Sequence, residues 1–98
     1  MDNVYLILTY SDRKNKKMRA YFFDDYGNHK TVHFGAKGYE DFTTHKDEER
    51  KKRYIQRHIK KENFNDPFSA GALSRWILWN KPTIYASLKD YKKRFGIF

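Results

Sequence analysis

The chain has no cysteine. Without thiols there is no disulfide framework, no thiolate zinc site and no cysteine nucleophile, a composition that fits a reducing compartment. Long apolar runs are missing too. Val4–Leu8 is the nearest approach; it is far too short to span a bilayer, and an acidic residue rather than a basic segment precedes it. The sequence therefore predicts neither a membrane span nor a signal peptide, and a soluble intracellular protein is expected. Only two prolines and five glycines interrupt the chain, and no internal repeat, low-complexity stretch or linker is visible. Acidic residues are outnumbered, with 12 Asp and Glu against 21 Lys and Arg, for a net charge of +9.

What remains is length for one domain, residues 1–98, rich in aromatic side chains. A chain this short buries a modest share of its surface, so its core must draw much from few positions. Eight Phe, eight Tyr and two Trp, 18% of the residues, supply that, since each ring can bury a large area. Charge of this size repels itself in a compact state. It points to an anionic partner: phosphates, lipid heads or acidic protein surfaces.

The first third reads as strands. Asn3–Tyr10 places Val4, Leu6 and Leu8 on one face and Tyr5 and Ile7 on the other. With both faces apolar, a central or helix-covered strand is expected. Ser11–Lys17 is a polar turn, Met18–Phe23 a second strand, Asp24–Lys30 a turn around Gly27-Asn28, and Thr31–Phe34 a short third strand. Gly35 and Gly38 flank Ala36-Lys37. That spacing lacks the longer glycine pattern of a nucleotide-binding loop and reads as a structural turn.

From Thr44 the pattern is helical. Thr44 with Asp47 reads as a capping box for a helix over about Lys46–Lys61, with Tyr54, Ile55, His58 and Ile59 as its inward stripe. Ser69 caps a second helix, about Ala70–Asn80, apolar around most of its circumference and carrying Trp76 and Trp79. Lys81-Pro82 ends it. Thr83 caps a third helix, whose Ile84, Leu88, Tyr91 and Phe95 repeat at 4, 3 and 4. Gly96 stops that helix, and Ile97-Phe98 tuck back onto the core. The expected fold is α+β, a small antiparallel meander of about three strands followed by three helices packed on it.

Chemistry is hard to find. No two of the four histidines share a helix at the i, i+4 spacing that aims imidazoles at one ion; His29 and His33 are four apart, but in a turn and a strand. His58 reads as a core histidine and His45 as part of a helix cap. The carboxylate clusters sit at a turn and a helix start, and Ser69, Ser74 and Ser87 lack a nucleophile-elbow context. An enzyme would require a deep polar cleft lined by His45, Asp41 and Arg57. The expectation is a non-enzymatic chain with no cofactor, no metal and no small-molecule substrate.

Positive charge is the more informative signal. Arg13, Lys14, Lys16, Lys17 and Arg19 surround the first hairpin. Arg50, Arg53 and Arg57, with Lys60 and Lys61 beyond them, line the first helix, and Lys89, Lys92, Lys93 and Arg94 lie on the third. Guanidinium forks suit phosphate or carboxylate. The hairpin and first-helix residues are the candidate contacts to an anionic partner or nucleic acid. Trp76 and Trp79 could stack bases, but on so apolar a helix they read as core. Tyr21 and Phe23 could form a sheet-surface platform, although the order of elements is not that of an RRM.

Several segments in order, Phe34–Thr43, His45–Asp47, Tyr54–His58, Glu62–Phe64 and Trp76–Pro82, resemble a family of short basic proteins encoded by large nucleocytoplasmic DNA viruses of algae and protists. The resemblance covers about Val32 to Phe95, with Gly35, Gly38, Asp47, Trp76, Trp79 and Pro82 as its structural motif positions. The first two strands match it only in character. It implies no enzyme activity. It implies a viral setting: a minor capsid or virion protein that cements or links larger capsid proteins, located in the virion and, during assembly, in the host cytoplasm or virus factory. A basic protein bound to the viral genome, with DNA or RNA as partner, is the alternative.

Overall fold

Residues 3–98 are described by a computed structural model, and its strands follow the period-two alternation of their side chains. β1 (Val4–Tyr10), β2 (Lys16–Asp24) and β3 (His29–Ala36) form an antiparallel sheet in the order β1-β2-β3. The register pairs Leu6 with Phe22, Leu8 with Ala20, Ala20 with Val32, and Met18 with Phe34. One face of the sheet therefore presents Val4, Leu6, Leu8, Met18, Ala20, Phe22, Val32 and Phe34 to the core. In the β2–β3 turn, Asp24 accepts hydrogen bonds from the backbone N–H groups of Tyr26 and Asn28, and Gly27 adopts φ +88°.

The helices pack on that inner face. α1 (Phe42–His45) and α2 (Glu48–His58) follow the sheet. α3 (Ala70–Leu73) runs on into a π-helical turn over Ser74–Leu78, and α4 (Ile84–Phe95) ends the α+β fold. Leu73, Ile77 and Leu78 are buried against the sheet, and Ile84, Leu88, Tyr91 and Phe95 join them from α4. Ser69 and Thr83 cap their helices as expected, accepting from the N–H groups of Ala72 and Ala86. Gly96 closes α4 in the left-handed region at φ 65°, and Ile97 is buried. Phe98 then bonds to the β1 edge, donating to Val4 O at 2.9 Å and accepting from Leu6 N–H at 2.8 Å.

Three expectations change. The capping box lies upstream: Asp41 caps α1 with Thr44 answering, while Asp47 caps α2 by itself. The expected single helix start is divided because Lys46 enters the left-handed region at φ 55° and ends α1 after one turn. Ile59 is 56% exposed rather than on the inward stripe, because α2 stops at His58 and the chain turns away. β1 is an edge strand whose second face is open, although both its faces are apolar.

Of α2 only Tyr54 is buried. Its ring lies parallel to Trp79 at 4.2 Å, with His58 stacked on it at 4.3 Å. Lys51 adds a hydrogen bond to Asn80 O at 3.0 Å and sits 4.3 Å from the Phe42 ring centroid.

Candidate nucleic-acid interface

The odd-numbered residues within 5–9, 19–23 and 29–33 form the outer sheet face, which no described helix covers. Cross-strand pairing sets Tyr5 beside Phe23, Ile7 beside Tyr21 and Thr9 beside Arg19, with His29, Thr31 and His33 on β3. Tyr5 and Phe23 lie 5.2 Å apart between centroids at 22°, and Tyr21 and Phe23 5.6 Å apart at 28°. Phe98, 61% exposed, extends the row at 6.0 Å from Tyr5, and Ile7 is 51% exposed beside it. A contiguous apolar patch of this kind on a charged protein is a candidate interaction surface. The rings stack on one another in an offset row, and the surface such a row leaves open suits nucleobases.

The patch has a polar end. Arg19 donates from Nε to Thr9 Oγ1 at 3.2 Å, which fixes its stem on the sheet, and it makes no ion pair among the described residues. Next to it the Ser11 hydroxyl and His33 Nδ1 are 2.7 Å apart, and the backbone N–H of Arg13 donates to Ser11 Oγ. That hydrogen bond ties the turn bearing Arg13 and Lys14 to the same end of the sheet. At the opposite end, Tyr5 Oη donates to Asp25 at 3.1 Å. Rings and cations thus lie in sequence along one surface.

The other sequence-predicted cations divide. Lys16, Lys17, Arg50 and Arg57 come together around a cleft of about 470 Å³ between the hairpin end, the Tyr39–Asp41 loop, α2 and α3. Lys17 is already held by Asp41, Nζ to Oδ2 at 2.6 Å, and Arg50 lies 3.7 Å from Glu40. Arg53, Lys60 and Lys61 point to solvent and line neither the cleft nor the sheet face. Asp41 and Arg57 do share this cleft, but His45 does not line it. His45 Nδ1 accepts from Asp47 N–H at 2.9 Å, and its ring packs 5.2 Å from Trp79. With Nδ1 as acceptor, Nε2 carries the proton and is buried without a partner among the described residues.

Over residues 6–58, just over half its length, the chain matches the model of a family of unknown function, DUF5754. The chain belongs to that family. No curated protein and no solved structure matches this DUF5754 chain. The matched stretch spans Ile7, Arg19, Tyr21 and Phe23 of the open face together with α2, and ends before α3.

The motif positions also have structural tasks. Gly35 and Gly38 adopt φ +81° and +91°. Trp76 donates from Nε1 to Phe64 O at 2.8 Å, while the Arg75 and Arg94 guanidiniums lie 4.2 and 3.8 Å from its ring centroid. Trp79 belongs to the Tyr54 stack, and burial there pushes the Tyr54 phenol pKa up to about 12. Pro82 is exposed in the connection before α4. Both tryptophans are therefore tied into the packing rather than offered as stacking platforms. The outer ladder was the weaker signal in sequence, since alternation alone does not say which apolar face is left uncovered. No metal-binding group of His, Asp and Glu occurs among the described residues, nor any helix long and apolar enough to cross a membrane.

Proposed function

We propose that this chain is a single-stranded nucleic-acid-binding module. Bases stack on Tyr5, Tyr21 and Phe23 of the open sheet face, while Arg19 and the Arg13–Lys14 turn take phosphates. One observation carries the reading: a row of near-parallel aromatic rings on an uncovered face ends at cations that make no ion pair among the described residues. A net charge of +9 adds long-range attraction for a polyanion.

Fluorescence anisotropy with labelled single-stranded and duplex oligonucleotides tests this. Single strands should bind more tightly than duplex. Phe23→Ala should cost about 1–3 kcal/mol, the usual worth of one stacked base. Log affinity should fall with log salt at about −0.7 per phosphate contacted, and Arg19→Ala should make that slope shallower. Equal affinity for duplex, or indifference to Phe23→Ala, would remove the proposal.

The second reading is a structural protein of a viral particle that links larger capsid proteins. The resemblance to short basic viral proteins favours it, as do Tyr10, Tyr26 and Tyr85, which are 83%, 74% and 78% exposed. These sit at the end of β1, in the β2–β3 turn and in the first turn of α4, available to protein neighbours. Mass spectrometry of purified particles decides it, since a particle component must be present in them. A genome-bound role in a virus factory joins the two readings through one viral setting.

A further inference from the structure

The cleft beside the hairpin is separate from the stacking face and differs from it in chemistry. Its volume of about 470 Å³ falls within the range of small-ligand sites. One wall is the hairpin end with Lys16; the other is α2, where Arg50, Tyr54, Arg57 and His58 share a helix face. Leu78 and Trp79 contribute apolar surface behind them, and Tyr39, 75% exposed, stands among the lining residues.

The charges are not evenly spent. Three acids line the cleft, and each has a neighbour of opposite or potentially opposite charge. Asp41 holds Lys17 and also accepts from the Thr43 backbone and hydroxyl, Glu40 faces Arg50, and Glu62 lies 4.0 Å from His58 Nδ1. Lys16 and Arg57 make no ion pair among the described residues, and both line the space from opposite walls. An ammonium and a guanidinium facing one cavity suit a doubly charged phosphate, which can accept from both. Tyr54 offers no free face, being stacked between His58 and Trp79, but exposed Tyr39, with Leu78 and Trp79 as apolar lining behind it, suits a flat apolar ring attached to the phosphate.

We infer that the cleft binds a phosphomonoester carrying a nucleobase, either as a free nucleoside monophosphate or as the phosphorylated end of a strand. This goes beyond the stacking function, does not require it, and departs from the expectation of a chain without a small ligand. Arg57 and Lys16 hold the phosphate, and Tyr39 receives the base. Lys17 and Asp41 act on each other and keep the hairpin end in place.

Trp79 lines the cleft, so tryptophan fluorescence can follow binding, with isothermal titration calorimetry as a second readout. The probes are a nucleoside 5′-monophosphate, the unphosphorylated nucleoside, inorganic phosphate, and one short oligonucleotide with a 5′-phosphate or a 5′-hydroxyl. The monophosphate should bind more tightly than either the nucleoside or inorganic phosphate. Arg57→Gln and Lys16→Gln should each weaken it about tenfold or more, as expected for loss of a charge-assisted hydrogen bond. Arg53→Gln, on the same helix but outside the cleft, should not. A gain from the 5′-phosphate on the oligonucleotide that Arg57→Gln abolishes identifies a strand end as the source; a gain confined to the free monophosphate identifies the nucleotide. Phe23→Ala should leave monophosphate binding intact, so failure of the stacking function would not be mistaken for failure of the cleft. Absence of monophosphate binding at millimolar concentration overturns the inference, as does binding that survives both glutamine substitutions.

Discussion

Replacing Gly35 by alanine tests how the hairpin end meets the helical layer. A Cβ at this position would lie 2.7 Å from Leu78 Cδ1 and 3.3 Å from Lys17 Cβ, on a backbone with φ +81°. Leu78 is only 2% exposed and sits in the core, so it has little room to retreat. The backbone strain costs about 1–2 kcal/mol, and overpacking a filled core adds about 1–3 kcal/mol. Together they predict a loss of about 2–5 kcal/mol, a large part of the 5–15 kcal/mol typical of a domain. Gly38 is the internal control, because its φ is +91° yet a Cβ there meets nothing within 4 Å. Gly38→Ala should therefore carry only the backbone cost of about 1–2 kcal/mol. Urea denaturation of both variants measures the difference through the midpoint, provided the slope is unchanged. Leu78→Val removes the offending carbon, and in that background Gly35→Ala should recover at least about 0.5 kcal/mol of its cost, the coupling expected of touching residues. If Gly35→Ala were no worse than Gly38→Ala, the close approach to Leu78 would not be what demands glycine.

Two further predictions concern α4. Tyr91 is fully buried and donates from Oη to Pro67 O at 2.6 Å; Tyr91→Phe should leave that carbonyl unpaired and cost about 1–3 kcal/mol, read by calorimetry as a melting temperature lower by about 4–8 °C for each kcal/mol. Burial raises the Asp90 carboxyl, but hydrogen bonds from Asn80 and Arg94 outweigh it and leave the carboxyl below its ordinary value. The unfolded chain then takes up that proton first as pH falls, so Asp90 contributes stability above about pH 4 that is lost as pH drops through the folded value. Asp90→Asn should flatten this part of the acid limb in urea midpoints measured from pH 6 to pH 2.5.

The parts legible in the sequence were those written in local chemistry. Ser69, Thr83 and Gly96 mark helix ends because their roles depend on a few neighbouring backbone groups. Ile84, Leu88, Tyr91 and Phe95 reveal α4 because a stripe at helical spacing has one reading. The three strands followed from alternation, though each turn was drawn too long at β2 and β3, since pairing with a neighbour extends a strand into polar residues such as Lys16 and His29. The exposed face was legible only in part, through Tyr21 and Phe23 as a candidate sheet-surface platform. Tyr5, Ile7, Tyr21 and Phe23 look as apolar as the core residues between them, and only the placement of the helices decides which side stays open. Likewise Arg50, Arg53 and Arg57 share a repeat, yet the packing of Tyr54 on Trp79 turns Arg50 and Arg57 toward the cleft and leaves Arg53 outside it. The left-handed Lys46 gave no warning, because lysine carries no preference for that conformation.

The attachment of α2 through one buried tyrosine has a consequence for motion. A helix that contributes a single ring to the interior loses little when it detaches, so it should open in a step smaller than global unfolding. Amide hydrogens of Lys51–His58 should then exchange well before those of Ala20, Phe22 and Phe34, whose strands close over the core. Because α2 is also one wall of the cleft, a molecule seated there would have to be held by both walls at once. Its binding would slow exchange along α2 and leave the strands unchanged, making the helix a clasp whose closure can be timed amide by amide.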